Sequence, residues 1–149
     1  LTSIDLLPEF LNESSSLDKV DDFQLTREPS SQILKVIDLE VNNERLFSQL
    51  FRSLCPVTGQ PDWATFQIQY SGLKIDNKSL LEYLCSFRSH ASYHEDCGEK
   101  IFCEIFESCK PEDLTVSLNF LRRGGVDINV HRSTKKTILK ANQSRLIRQ

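Results

Sequence analysis

Two stretches of strict alternation constrain this chain more than any other feature. Ala64, Phe66, Ile68 and Tyr70 are separated by Thr65, Gln67 and Gln69; further along, Leu114, Val116, Leu118 and Phe120 are separated by Thr115, Ser117 and Asn119. Successive side chains of a strand point to opposite faces, so each run predicts a strand with one apolar and one polar face. The apolar faces need a cover, and the sequence between the runs supplies it. Leu80, Leu81, Leu84 and Phe87 recur at helical spacing after Asp76-Asn77, either of which is placed to cap a helix. Ile101, Phe102, Ile105 and Phe106 form the apolar face of a second helix, from about Glu95 to Cys109, with Pro111 beyond its end. Alternation in "ILKVIDLEV" from Ile33, and in "VDINVHRS" after the turn Gly124-Gly125, predicts a further strand on each side. The order strand, strand, helix, helix, strand, strand (ββααββ) specifies an α+β domain: a four-stranded antiparallel sheet with two helices on one face. Such a sheet must pair, cover or charge its edges, which favours a homo-oligomer.

One segment resists this scheme. In "ERLFSQLFRSL", Leu46, Phe47, Leu50, Phe51 and Leu54 fall at helical spacing, and pattern alone predicts a helix there. Residues 1–31, with their serine cluster, acidic residues and two prolines, read as a partly ordered linker or crossover segment. That leaves 32–149 as the folded domain, ending in the basic tail "TKKTILKANQSRLIRQ". A formal net charge of -3 gives no overall case for nucleic acid or an anionic membrane. No apolar run approaches the roughly 18 residues of a membrane helix. Five cysteines without C-x-x-C spacing, and three scattered histidines, point to thiols in a reducing cytoplasm and to no metal site. The chain starts at Leu1 and contains no methionine, which is expected of a piece of a longer product.

The candidate chemistry centres on "CPVTGQPD", residues 55–62, a loop stiffened by two prolines with a cysteine and an aspartate at its ends. A thiol is a nucleophile only as its thiolate; a carboxylate beside it does not acidify it by charge, but can carry a proton to or from the reacting atom. Cys55 and Asp62 therefore fit covalent catalysis with a separate acid/base, although an arbitrary Cys/Asp pair is more often a small buried cysteine beside a turn or capping residue. In "SYHEDC", His94 is the side-chain type suited to carrying a proton and Glu95 can accept two hydrogen bonds from a guanine-like edge, although a His-Glu pair at a helix start is more often a cap. Arg122-Arg123-Gly124-Gly125 is either a phosphate grip or a solvated hairpin tip. Trp63 reads as a packing anchor, Cys97, Cys103 and Cys109 as core, and His90 and His131 receive no role.

"LCPVTGQPDWATFQIQY", "YLCSFRSHASYHEDC" and "RRGGVDIN", in that order and spacing, resemble the NADPH-dependent 7-cyano-7-deazaguanine reductases of queuosine biosynthesis, the QueF type. The resemblance covers most of residues 44–133 and takes in the terminal "SRLIRQ". It implies a tunnelling fold (T-fold), and a strand rather than a helix over 44–54. It also implies the reaction: a cysteine attacks the nitrile of a deazapurine to form a thioimide, which NADPH then reduces to an aminomethyl group. Cys55 matches the nucleophile and Asp62 the proton donor. Glu95 matches the residue that holds the guanine-like edge, and His94 the one beside the nitrile and nicotinamide. Arg122, Arg123 and Gly124 fall where cofactor phosphates would be bound. The family's cofactor signature, approximately E-S-K-S-x-K-x-Y, stands here as Asp76-Asn77-Lys78-Ser79-Leu80-Leu81-Glu82-Tyr83, with Ser79 expected at the substrate. This departure resembles the C-terminal, catalytic half of the two-module form.

Three alternatives stand beside that reading. One is a cyclohydrolase on the same fold, which would need metal ligands the sequence lacks. Another is an amidine-forming relative that discharges the same thioimide with ammonia and needs no NADPH. The third is a substrate-binding or assembly module that is inactive without its other half.

Overall fold

The structure, a computed structural model, describes residues 14–22, 24–26, 28–122 and 124–135. Its centre is β3, Pro61–Ile75, whose alternating side chains behave as their pattern dictates: Ala64, Phe66, Ile68 and Tyr70 are buried on one face. Antiparallel to it on one side runs β2, Val36–Leu54, and on the other β4, Asp113–Phe120, which is followed by β5, Asn129–Ser133. The first helix, α1, spans Asn77–Cys85, and the second, α2, spans His94–Cys109.

The expected ββααββ order is therefore present, but the sheet is not purely antiparallel. A two-residue strand, β1 (Ser15–Ser16), pairs parallel to Leu46 and Phe47, giving a mixed five-stranded sheet in the order β1-β2-β3-β4-β5. A 3-10 turn over Leu17–Lys19 follows and places Leu17 wholly inside the core. Asp18 holds the turn in place, accepting from Ser48 Oγ at 2.6 Å and from the Gln49 amide at 2.9 Å.

The helical spacing of residues 46–54 has a definite origin. Ser48 pairs with Phe66 and Phe51 with Ala64, so three steps along β2 match two along β3. That bulge inserts one residue and changes which residues face inward from Leu46 and Ser48 to Phe51 and Ser53, all of them buried. A strand with a phase change reads as 3.6-residue periodicity. Towards its far end β3 passes close to the start of β4: Gly72, at φ +133°, lies where a Cβ would stand 3.3 Å from Pro111 Cα.

Both helices cover the apolar face. Asp76 caps α1, its carboxylate accepting from the Ser79 amide at 3.0 Å, and Leu80, Leu81 and Leu84 are fully buried. From α2, Ile101, Ile105, Cys97 and Cys109 enter the core. Phe102 and Phe106 depart from expectation. Phe102 is only partly buried, packing against the edge of the core, and Phe106 is 43% exposed; their rings stack on each other at 6.2 Å. Cys103 also lies outside the core, donating to Glu99 Oε1 at 3.4 Å. The basic tail from residue 136 onward lies outside the described residues. No helix among the described residues is long and apolar enough to cross a membrane.

Candidate active site

Three elements meet at the end of the sheet where β2 passes into β3. The connecting loop is closed by its own backbone: the Gly59 amide donates to Cys55 O at 2.8 Å and the Cys55 amide to Gln60 O at 2.9 Å. Gly59 sits at φ +71°, a left-handed conformation that glycine adopts without steric cost. On the other side of Leu54, residues 90–92 are fastened as a single parallel bridge. The Leu54 amide donates to His90 O at 3.0 Å, and the Ser92 amide to Leu54 O at 3.1 Å. Since α2 starts at His94, these bonds bring its first turn beside the loop.

Asp62 opposes Ser53 in the sheet register and faces α2, with its Oδ2 3.1 Å from His94 Nε2. Both groups are largely removed from solvent, the aspartate side chain being 3% exposed and the histidine 12%. The imidazole lies flat on Phe120, ring centroids 3.9 Å apart and planes at 10°. Its Nδ1 is buried and has no hydrogen-bond partner among the described residues. A donor left there would cost about 1–3 kcal/mol, so the lone pair belongs on Nδ1 and the N–H on Nε2, donating to Asp62.

Two thiols lie near this pair. Burial pushes the Cys97 thiol up, the Ser53 and Ser92 hydroxyls oppose that shift, and the Asp62 charge adds to it. Cys97 thus stays protonated and inaccessible, whereas Cys55 is partly exposed at the loop. The only one of the two that a ligand can reach is Cys55.

Cys55, Asp62, His94 and Glu95 are thereby gathered at one end of the sheet, with Glu95 exposed in the first turn of α2. Arg122 reaches the same end, because the Leu121 amide donates to Trp63 O at 2.8 Å. Its side chain is 46% exposed, and the guanidinium donates to Gly125 O at 2.9 Å and stands 3.9 Å from Asp127. Gly124 follows at φ +56°; Arg123 lies outside the described residues. Ser79 is not brought to this site. It lies beyond the opposite end of β3, whose 15 residues extend roughly 45 Å at about 3.3 Å each. There its hydroxyl donates to Asp76 O at 2.9 Å and accepts from the Lys35 amide at 3.1 Å, a helix-start role.

Trp63, expected as a packing anchor, is only half-buried and outside the hydrophobic core, with the Arg52 and Arg88 guanidiniums 5.6 and 5.7 Å from its ring. The pairing of Asp62 with His94 had no local sequence signal, since each was matched with a nearer neighbour. Phe120 was legible only as the last apolar residue of a strand. Among the described residues no three of His, Cys, Asp or Glu are grouped so as to hold a metal ion.

Comparison with known proteins adds a family and a fold. A family model described as "QueF-like protein" matches residues 61–138. The NADPH-dependent 7-cyano-7-deazaguanine reductase of Bordetella avium is 49% identical over 118 residues, covering 79% of this chain and 43% of the relative. Its counterpart in Albidiferax ferrireducens is 44% identical over 145 residues, covering 92% and 50%. That of Coxiella burnetii is 44% identical over 130 residues, covering 87% and 46%. The chain therefore spans about half the length of the curated relatives it matches. Among solved structures, the archaeosine synthase QueF-Like in its apo form superposes with a TM-score of 0.56 at 19% identity, over 60% of this chain and 89% of that one. This likeness is one of fold.

Proposed function

Because the chain belongs to the QueF-like protein family, we propose that it is the cysteine-bearing module, on a tunnelling fold, of an NADPH-dependent reductase converting the nitrile of 7-cyano-7-deazaguanine to an aminomethyl group in queuosine biosynthesis. Residues 32–149 form the catalytic domain in this reading and 1–31 the crossover segment. The protein works in the cytoplasm as a homo-oligomer, on a small deazapurine and without direct contact to nucleic acid. One observation carries the proposal: a partly exposed thiol, Cys55, stands at the mouth of a loop whose other end holds a buried aspartate bonded to histidine at 3.1 Å.

The chemistry follows from those groups. Cys55 Sγ forms a bond to the nitrile carbon, one π pair of the triple bond moves to nitrogen, and the thiol proton ends on that nitrogen by way of Asp62, giving the thioimide. Reduction to the amine takes two hydrides and two protons. The Asp62–His94 pair, one side reached from the loop and the other sealed by Phe120, is the route by which protons enter. When the carbon–sulfur bond breaks, its electron pair returns to sulfur and the thiol is regenerated. His94 stands beside the nitrile, and Glu95, exposed at the start of α2, accepts the amide and amino hydrogens of the guanine-like edge. Ser79 contributes to substrate binding only through a neighbouring subunit or module, since it lies at the far end of β3.

NADPH, when bound, supplies hydride. The loop between β4 and β5 fits its phosphates: the Arg122 side chain is nearly half exposed, and nothing stands within 4 Å of where a Cβ would be on Gly124 or Gly125, so an anion can approach the backbone there. Arg122, Gly124 and the adjacent Arg123 would hold it.

The test is intact-mass analysis of the chain with 7-cyano-7-deazaguanine and no NADPH. An added mass equal to one substrate is expected, absent from Cys55→Ala. Asp62→Ala should keep purine binding yet lower turnover by about a hundredfold to ten-thousandfold. A Cys55→Ala protein that still oxidised NADPH on adding substrate would overturn the mechanism. Adduct formation without NADPH oxidation, even in the longer protein, would instead favour the amidine-forming reading.

A further inference from the structure

The imidazole of His94 is held on an edge and on a face by unlike neighbours. On its edge stands Asp62 at 3.1 Å; against its face lies the Phe120 ring at 3.9 Å and 10°. Phe120 is fully buried and is itself fixed in orientation. Phe51 meets it edge-on at 6.2 Å and 81°, Phe87 packs on Phe51 at 5.6 Å, and Tyr83 meets Phe87 at 5.4 Å and 85°. A series of rings thus runs from α1 through the core to the site. The sheet register pairs Phe120 with Ala64, two residues past Asp62 on the same face, so the ring that supports the histidine and the carboxylate that receives its N–H are set by one stretch of ladder.

Any tilt of the imidazole separates it from a ring that cannot follow, and so swings the Nε2–H away from Asp62. We propose that Phe120 is a positioning residue acting through His94: its ring fixes the imidazole plane, so that the N–H on Nε2 stays aimed at Asp62. The consequence for turnover rests on the nitrile-reductase reading above, whereas the consequence for the imidazole does not. Phe66 supplies the control. It is an equally buried phenylalanine, with no ring contact to His94 or Phe120 among those described, and its loss opens a comparable cavity.

The first measurement is the side-chain ¹⁵N–¹³C spectrum of His94 in the whole chain. The unsubstituted protein and Phe66→Leu should both show the Nε2–H tautomer alone, while Phe120→Leu should show averaged tautomers. The second is turnover. Phe120→Leu is expected to lower kcat by between about tenfold and a hundredfold with KM for the deazapurine within about twofold. In a His94→Ala background the same substitution should cost less than about twofold. An unchanged His94 spectrum in Phe120→Leu, or an equal loss of kcat with and without His94, would overturn the proposal. A chain with no reductase activity but with the expected spectra would remove the catalytic reading and leave the role of Phe120 toward His94 standing.

Discussion

On the polar face of the sheet, His131 Nδ1 lies 2.7 Å from Ser117 Oγ, while its Nε2 is buried and has no partner among the described residues. Burial lowers its pKa from the ordinary 6.5, and the charge of Arg132 adds to the effect. The folded chain therefore binds a proton at this site less readily than the unfolded chain. Stability from this residue is complete above about pH 6.5 and is lost as the pH falls through and below that value. Thermal melts between about pH 7 and pH 5 should show the midpoint falling toward acid, and His131→Asn should flatten that slope. An unaltered slope in the variant would assign the acid sensitivity elsewhere. At this scale the sequence was informative about kinds of residue and silent about partnerships. Cys55, Asp62 and His94 could be picked by chemistry and neighbourhood. The bond between Asp62 and His94 depends on where α2 lands on the sheet, which no local spacing encodes.

Among the elements, α2 is positioned by a close approach. An ideal Cβ on Gly98 would stand 2.3 Å from Val130 Cγ1 and 3.1 Å from Val130 Cβ, so the absence of a side chain lets the helix settle onto β5. Gly98→Ala should destabilise the fold by about 1–3 kcal/mol despite alanine's better helix propensity, because a short branched side chain has little freedom to yield. Denaturant titration measures this, and Val130→Ala in the same chain should recover much of the loss. Equal effects with and without Val130 would mean that the helix is set by something else. Elements also explain the main difficulty in reading the sequence. β4, and β3 from Asp62 to Tyr70, follow one phase and were plain, but β2 changes phase at the bulge between Ser48 and Phe51 and so imitated a helix. The exposure of Phe106 was hidden for the opposite reason, since its spacing is that of a buried face.

Across the whole molecule, most of the ββααββ plan was legible because both helices, β3 and β4 carry their own periodicity, whereas the burial of Leu17 was not. One leucine inside a serine-rich, acidic stretch gives no pattern, and only the gap beside β2 reveals its place. The loop at residues 55–60, described above for the thiol it presents, is also the turn from which β2 and β3 pair along nearly their whole length. Pairing that grows from a short connection has little chain entropy to overcome, so this hairpin is the natural first event in assembling the sheet. Gly59→Ala meets no atom within 4 Å and imposes only the backbone cost of φ +71°, about 1–2 kcal/mol. If the turn forms early, that cost appears as several-fold slower refolding with an unchanged unfolding rate, which stopped-flow measurements in denaturant resolve. Faster unfolding at an unchanged refolding rate would place the turn late instead. Timing and chemistry are then joined in the same few residues, which set both when the sheet begins to close and where its sulfur comes to rest.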